Sequence, residues 1–259
     1  TQELDYTTVF ESQGEESLVI DLTNFENLYN LFDVLESGLL VGLSGSTLTI
    51  QDPTSTAKNT VQLNDSYQHM EVVANTIYVG NYNKIVMLDI TDISANTVVE
   101  ETIVLAPNNT NMYNGFSANN DGLIYNVWNN NDTRQTYRKV GVNTPTLLYT
   151  GGDNVGRAVM FEGKVYQFDS YRAREIVAGE HMEPVNFNNF NVDNGSGGKI
   201  KVVNGQIIAM VQSNNDSYYT PQSIDPTTGS STPLGLQIGE SVNLVRDFAF
   251  APNGNVYLF

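Results

Sequence analysis

The chain has 259 residues, of which 40% are apolar, 10% aromatic and 16% charged. Its net charge of −17 repels phosphate, which excludes nucleic acid as an expected partner. The sequence contains no Cys, so disulfides and thiolate metal sites are excluded. No apolar run approaches the ~20 residues that span a bilayer, and direct membrane insertion is not expected.

The acidic residues are unevenly distributed along the chain. Residues 1–107 hold sixteen Asp or Glu and two Lys, whereas the remaining residues hold thirteen acids and ten bases. One side of the folded chain should therefore be strongly negative. Such a surface favours solubility, and binding of divalent cations is the alternative use.

The first predicted elements are two strands, at residues 6–10 and 17–22, joined by a polar turn at Gln13-Gly14. A pattern of a Gly or Asn turn followed by an apolar strand then repeats along the chain. The repeated turns are centred on Gly38, Asn75, Gly122, Gly163, Gly205 and Gly254, which lie 37 to 49 residues apart. This is the blade period of propellers, and Asn-Gly or Asp-Gly favours the tight turns that join antiparallel strands.

Each repeat predicts four strands, named a to d in chain order. The turn joins strands a and b. Strand c often ends in Asp and is predicted at residues 48–52, 86–90 and 223–225, and strand d is predicted at residues 98–105 and 145–150. The last turn is followed only by residues up to Phe259, so the final repeat contains strands a and b alone.

The two N-terminal strands supply what the final repeat lacks. The sequence thus predicts an all-β, six-bladed β-propeller in which two N-terminal strands and two C-terminal strands close one blade, removing exposed sheet edges. The expected organisation is a single domain over residues 1–259. A chain that starts at Thr1 is also expected to be the C-terminal part of a longer protein.

The b-to-c and d-to-a connections of a propeller emerge on one face, and here they are rich in Asn, Asp and Tyr. Residues 187–198 are predicted to be one of the d-to-a loops. Amides and carboxylates bind sugar hydroxyls, and aromatic rings cover apolar sugar faces. The candidate ligand residues of this face are Trp128, Tyr82, Tyr113, Tyr171 and Asn130. Ordinary loop composition explains the Asn content equally well, and packing between blades is the alternative for Trp128.

Strand a lines the channel of a propeller. Counting back from each turn gives the channel positions Asp33, His69, Asn114, Arg157, Lys199 and Arg246 with Asp247. The basic members Arg157, Lys199 and Arg246 predict a cationic funnel that could hold a carboxylate or a sulfate. A wet channel whose polar residues pair with one another is the alternative.

Calcium is a possible cofactor because loop carboxylates and carbonyls are its usual ligands. The candidate metal ligands are Asp65, Asp132, Asp153 and Asp216. The sequence contains no nucleophile elbow, zinc-protease or P-loop motif, so no catalytic residue is predicted.

The turn followed by Val-Tyr, as in residues 252–257, resembles the six-bladed propeller superfamily, including NHL-repeat-like and lactonase-like members. In size, acidity, absence of Cys and Asn-rich β structure, the chain also resembles the distal receptor-binding propeller in the spike of marine membrane-containing bacteriophages, the corticoviruses. This resemblance implies host attachment through a cell-surface glycan or protein receptor. It also implies a virion-surface or extracellular location, bound Ca²⁺, and a homo-oligomer formed through an N-terminal stalk.

Two other functions remain open from the sequence. A lactonase- or glycosidase-like hydrolase would act at the central channel. A bacterial surface scaffold would bind protein partners.

Overall fold

In the computed structural model, the described residues are 31–52, 58–90, 98–106, 110–129, 133–152, 156–193, 200–213, 219–234, 248–250 and 256–258. Every regular element among them is a β-strand, and the strands form six separate antiparallel sheets. The strands are rich in Val, Ile, Leu and aromatic residues, which suit a pleated surface that is buried on both sides.

The first three blades each contain four strands in chain order. Blade 1 consists of β1 (Leu31–Val34), β2 (Leu40–Ser44), β3 (Thr47–Gln51) and β4 (Lys58–Gln62). Blade 2 consists of β5 (His69–Val73), β6 (Thr76–Gly80), β7 (Lys84–Asp89) and β8 (Val99–Leu105). Blade 3 consists of β9 (Thr110–Asn119), β10 (Gly122–Asn129), β11 (Arg134–Lys139) and β12 (Thr146–Gly151).

Blades 4 and 5 each contain five strands because one strand is divided into two short pieces. Blade 4 consists of β13 (Ala158–Phe161), β14 (Lys164–Asp169), β15 (Arg172–Val177), β16 (Glu180–His181) and β17 (Val185–Asn186). Blade 5 consists of β18 (Phe190–Val192), β19 (Ile200–Val203), β20 (Gln206–Ser213), β21 (Thr220–Asp225) and β22 (Ser230–Pro233). In blade 4, β16 and β17 both pair with β15, and in blade 5, β18 and β19 both pair with β20.

The innermost strands lie side by side around the channel. Strand β1 contacts β5, β5 contacts β9, β9 contacts β13 and β13 contacts β19. The last sheet contains β23 (Phe248–Phe250) paired with β24 (Val256–Leu258), and β23 contacts β1. The predicted β-propeller class is thus confirmed.

The predicted number of blades is corrected by the structure. Within the described residues, five blades are complete, rather than six, and the sixth sheet has two strands. The N-terminal strands predicted to complete it fall in residues 1–30, outside the described part of the chain, as does the predicted closure.

The predicted d-to-a loop at residues 187–198 is also corrected. It contains β18, in which Phe190 and Val192 are buried while Asn191 between them is less so. This alternation is the burial pattern of a strand. In the sequence, the surrounding Asn residues favoured a loop over a strand at this position.

The a-to-b turns of blades 1 to 5 join paired strands as predicted, and the turn predicted at Gly254 lies outside the described residues. Both central residues have positive φ at Glu162-Gly163 (51° and 76°) and at Asn204-Gly205 (49° and 71°). These are the angles that a two-residue hairpin turn with right-handed twist requires.

The apolar core lies at the seams between blades. One cluster joins blades 1 and 2, and includes Leu43 and Ile77. Another joins blades 2 and 3 through Ile85 and Phe116, and a third joins blades 4 and 5 through Phe168. Each blade is therefore fixed mainly by its neighbours.

A buried polar cluster completes the seam between blades 3 and 4. Asn126 donates to the carbonyl of Gly156 at 2.8 Å, and the Thr136 hydroxyl donates to the Asn126 carbonyl oxygen at 2.8 Å. Gln167 Nε2 lies 3.3 Å from the same oxygen, and His181 Nε2 lies 2.6 Å from Gln167 Oε1. Since buried amides are costly unless they are hydrogen-bonded, this cluster fixes the relative position of the two blades.

Gly229 provides a test of blade-to-blade contact. Its φ is +69°, and a Cβ atom there would lie 2.1 Å from the carbonyl oxygen of Asn186 in blade 4. Gly229→Ala should lower the free energy of unfolding by about 1–3 kcal/mol more than Gly163→Ala, because the backbone oxygen must move. Gly163 has a similar φ of +76° but open space at its Cβ position. Denaturant titration measures both values, and equal losses would contradict the contact.

Candidate functional site

The channel contains a group of charged side chains on the innermost strands. Asp33 on β1, Glu71 on β5 and Arg157 just before β13 are buried, and Lys201 on β19 is partly buried. In a strand every second side chain points to the same side, which brings these residues into the channel.

The four charges form a network that crosses the channel. Arg157 Nη1 lies 3.4 Å from Glu71 Oε1, and Lys201 Nζ lies 3.6 Å from Glu71 Oε2. Lys201 Nζ also contacts Asp33 Oδ2 directly. The acids come from blades 1 and 2, and the bases from blades 4 and 5. The network therefore connects the acidic first part of the chain with the more basic remainder.

Asp33 is further held by two backbone donors. The amide of Val34 donates to Oδ1 at 3.0 Å and that of Val72 donates to Oδ2 at 3.1 Å. The second bond comes from blade 2. These contacts fix the carboxylate at the boundary between blades 1 and 2.

The sequence prediction found part of this network. Asp33, His69 and Arg157 lie at the predicted inner positions, and Asn114 lies in β9. Lys199, Arg246 and Asp247 fall outside the described residues. Glu71 and Lys201 were missed, although each lies two residues after a predicted channel position. Because every second side chain of a strand faces the same side, the positions two residues after His69 and Lys199 could have been predicted as channel positions.

His69 is buried against the backbone of blade 3. A Cβ atom at Gly115 would lie 2.7 Å from His69 Nδ1, so only glycine admits the imidazole at this distance. Gly115 has a φ of +71° and lies where β9 bulges out of register with β10. Burial, and then the charge of Arg157, lower the pKa of His69 to about 3. The imidazole is therefore neutral near pH 7.

The loop-rich face presents two exposed tyrosines in b-to-c turns. Tyr82 is 56% exposed and follows β6, and Tyr171 is 66% exposed and follows β14. Asn81 Oδ1 accepts the backbone amides of Asn83 and Lys84 at 2.9 and 3.1 Å. These bonds form a short local turn, and Tyr82 lies at its tip.

The Tyr171 turn is built in the same way. Asp169 Oδ1 accepts the backbone amide of Tyr171 at 2.9 Å, and Asp169 Oδ2 lies 2.6 Å from Arg172 Nε. Backbone bonds from the next segment then hold each tip. The carbonyl of Tyr82 accepts the amide of Met112 at 2.8 Å, and that of Tyr171 accepts the amide of Phe187 at 2.8 Å. Both tyrosines are thus presented on a fixed backbone.

The other predicted ligand residues of this face are partly described. Trp128 lies in β10, one residue before its end, and is half-buried. Tyr113 lies in β9, and Asn130 is outside the described residues. Tyr82, Trp128 and Tyr171 therefore occupy the same end of strand b, or the turn after it, on three consecutive blades.

The calcium prediction remains a prediction. Asp65 Oδ2 lies 2.5 Å from Lys84 Nζ, whereas Asp132, Asp153 and Asp216 lie outside the described residues. Within the described ranges, no group of three or more His, Asp or Glu side chains is arranged to hold a metal ion.

No helix long and apolar enough to cross a membrane is found in the part of the chain that the structure describes.

Antiparallel blades arranged around a channel, with the loops of consecutive blades on one face, define a β-propeller.

No protein-family profile and no curated protein sequence matches the chain. Solved structures do match it. Dihydro-heme d1 dehydrogenase NirN in complex with DHE is 15% identical over 88% of this chain, with a TM-score of 0.53. The match covers 53% of the NirN chain, so this chain spans about half of it.

Two further matches cover most of both chains. The WD40 β-propeller domain of Doa1 is 10% identical, covers 98% of this chain and 93% of its own, and has a TM-score of 0.53. A chain of the mitotic checkpoint complex is 10% identical, covers 89% of this chain and 83% of its own, and has a TM-score of 0.50. At these identities the likeness shows the fold alone.

Lys201 tests whether the channel network stabilises the fold. Lys201→Met removes the base that contacts both Asp33 and Glu71, and should lower the free energy of unfolding by about 3–5 kcal/mol, as expected when a buried pair is broken. Lys164→Met removes an exposed pair with Glu175 and should change stability little. Lys201→Arg, which retains the charge, should recover part of the loss. Equal stability of the two Met variants in denaturant would contradict this role.

His69 tests the lowered pKa. Its pKa in the folded state is about 3, below the usual unfolded value of 6.5, so the unfolded chain takes up a proton first as the pH falls. The contribution of His69 to stability is therefore lost between pH 6.5 and pH 3, by up to about 1.4 kcal/mol per pH unit. His69→Gln should flatten this part of the pH profile relative to wild type. Denaturant titrations of both proteins at pH 7.5, 6, 5 and 4 measure the free energy of unfolding. If it falls equally with pH in wild type and His69→Gln, the lowered pKa is contradicted.

Proposed function

We propose that this protein is an attachment module that binds a cell-surface receptor, glycan or protein, through its loop-rich face, and that it acts as the receptor-binding domain of a viral spike. The observation that supports the proposal is the row formed by Tyr82, Trp128 and Tyr171 on blades 2, 3 and 4. Two of these side chains are largely exposed.

The physical basis is the cost of ordering a binding surface. Tyrosine supplies a large amphipathic contact area, and only two side-chain torsions must be fixed on binding. The backbone under Tyr82 and Tyr171 is already held by hydrogen bonds from Met112 and Phe187. Little loop entropy is then lost when a ligand binds, so more of the contact energy becomes affinity.

Each exposed tyrosine has an ionic group beside it. Asp169 holds Arg172 at 2.6 Å and lies 3.6 Å from Arg174, and Lys84 lies 2.5 Å from Asp65. A ring flanked by donors and acceptors suits a saccharide, whose ring has apolar faces and hydroxyl edges. The same arrangement suits the polar rim of a protein interface.

Receptor binding is tested with Tyr82→Ala, Tyr171→Ala and the double variant. The fluorescently labelled protein is applied to a glycan array and to a panel of bacterial strains, and each variant should reduce binding to the positive ligands at least tenfold. Val142→Ala is the matched control, because Val142 is 99% exposed in the c-to-d loop of blade 3 and should leave binding unchanged.

The outcomes separate the functions. Binding that the tyrosine variants abolish, without turnover of the bound glycan, supports attachment. Binding that both tyrosine variants leave intact contradicts the proposed face. Turnover that disappears with Lys201→Met under conditions where denaturant titration shows the variant to be folded would instead favour a hydrolase at the channel.

A further inference from the structure

The outer strand of blade 2 differs from the other outer strands that the structure describes. Strand β8 is seven residues long and, within the described residues, pairs only with β7. Its two ends carry aliphatic side chains that are largely exposed, Val99 at 67% and Leu105 at 71%. An outer strand of this kind presents unpaired backbone groups together with apolar surface.

The other described outer strands have features that block pairing. Strand β4 begins with Lys58, and β22 has four residues and ends with Pro233. Strands β16 and β17 have two residues each. Strand β12 is covered by blade 4, where the ring of Tyr149 stacks on His181 with centroids 3.7 Å apart. Lysine, proline, short length and coverage are among the usual protections of sheet edges, and within the described residues β8 has none of these four. Its edge carries Glu100 and Glu101, and its pairing with β7 contains one register shift.

The charge of β8 indicates what could pair with it. Glu101 is exposed and forms no ion pair with the described residues, whereas Glu100 is held by the Asn64 amide and the Tyr67 hydroxyl, both at 2.7 Å. The strand also lies in the acidic part of the chain, where residues 1–107 have sixteen acids and two bases. A basic segment would be attracted to this edge. A second copy of the chain, with its own charge of −17, would be repelled.

We propose that β8 binds an extended basic segment of a partner protein as an added β-strand. Backbone hydrogen bonds along the open edge supply affinity, as in other cases of strand addition. Val99 and Glu101 lie on the same face of β8, so the methylene stems of Lys or Arg side chains contact Val99 while their charge pairs with Glu101. An aliphatic side chain of the segment contacts Leu105, which lies on the other face, and the charge selects basic over acidic segments.

The position of β8 places this partner beside the loop-rich face. Leu105 pairs with Lys84, and the carbonyl of Asn83 accepts the amide of Ala106 at 2.7 Å. Asn83 directly follows Tyr82. An added strand would therefore run from the outer rim of blade 2 to the margin of the Tyr82 turn, on a surface separate from the tyrosine row.

The probe is a labelled, end-blocked heptapeptide of alternating Lys and Val, titrated against the whole chain by fluorescence anisotropy. We expect saturable binding that the Val99→Lys/Leu105→Lys double variant weakens at least tenfold. Val140→Lys/Val142→Lys is the matched control, because it adds the same charge at exposed valines away from the edge and should bind like wild type. A peptide with Glu in place of Lys should bind at least tenfold more weakly, and Glu101→Lys should reduce that preference.

A peptide with alternate N-methylated amides separates strand addition from charge attraction. It keeps every side chain but loses backbone donors, so it should not bind. Protection of β8 amides from hydrogen exchange when the peptide is added to the wild-type chain gives the same test without a variant.

Four results would overturn the proposal: no binding of the Lys-Val peptide, equal binding of the N-methylated peptide, equal binding by the edge variant, or unprotected β8 amides. A dimer in sedimentation that Val99→Lys/Leu105→Lys dissociates would replace the partner segment with a second copy.

Discussion

The pairing of buried charges across the channel is the interaction on which the arrangement of the blades depends. A buried carboxylate costs several kcal/mol unless a base neutralises it, so Glu71 requires Arg157 and Lys201 at its side. Those bases come from the opposite side of the ring. Blades 1 and 2 are therefore held at a defined distance from blades 4 and 5, and the channel is narrowed by its own side chains.

Packing at the seams then fixes each blade against the next. The bulge in β9 brings Gly115 against His69, and Asn126, Thr136 and Gln167 join blades 3 and 4 through hydrogen bonds that leave little freedom of position. Polar contacts of this kind specify geometry more narrowly than apolar contacts, because they depend on both distance and direction. The b-to-c turns are held in turn by this packing, because the backbone carbonyls of Tyr82 and Tyr171 accept hydrogen bonds from the segments that enter the following blades.

The two proposed binding surfaces depend on the scaffold in different ways. The tyrosine row requires three consecutive blades to present equivalent positions on one face. The β8 edge requires only that one outer strand lack the protections that its counterparts have. The two surfaces are separate, but both adjoin the Tyr82 turn. A partner at β8 and a receptor at the tyrosine row would therefore lie next to each other on blade 2.

Sequence spacing predicted much of the fold. The turns at Gly163 and Gly205, and the strands β8 and β12, lie where the repeat placed them, because turn angles and strand alternation are local properties. The interrupted first strand of blade 5 was missed. Its piece β18 is short and lies in an Asn-rich segment, and only its pairing with β20 makes it a strand.

The sequence by itself determined the β-propeller class, the polar and aromatic composition of its loops and the uneven distribution of charge, because each depends on residues that are close together in the chain. Tertiary structure decided which acid meets which base. Asp33 and Lys201 are 168 positions apart along the chain, and no local pattern encodes their contact. It also decided that Tyr82 and Tyr171 are held by Met112 and Phe187, and that among the described residues no strand pairs with the outer edge of β8, whereas β12 is covered. The physical reason is that burial and pairing depend on neighbours in space, which the packed blades supply only after folding.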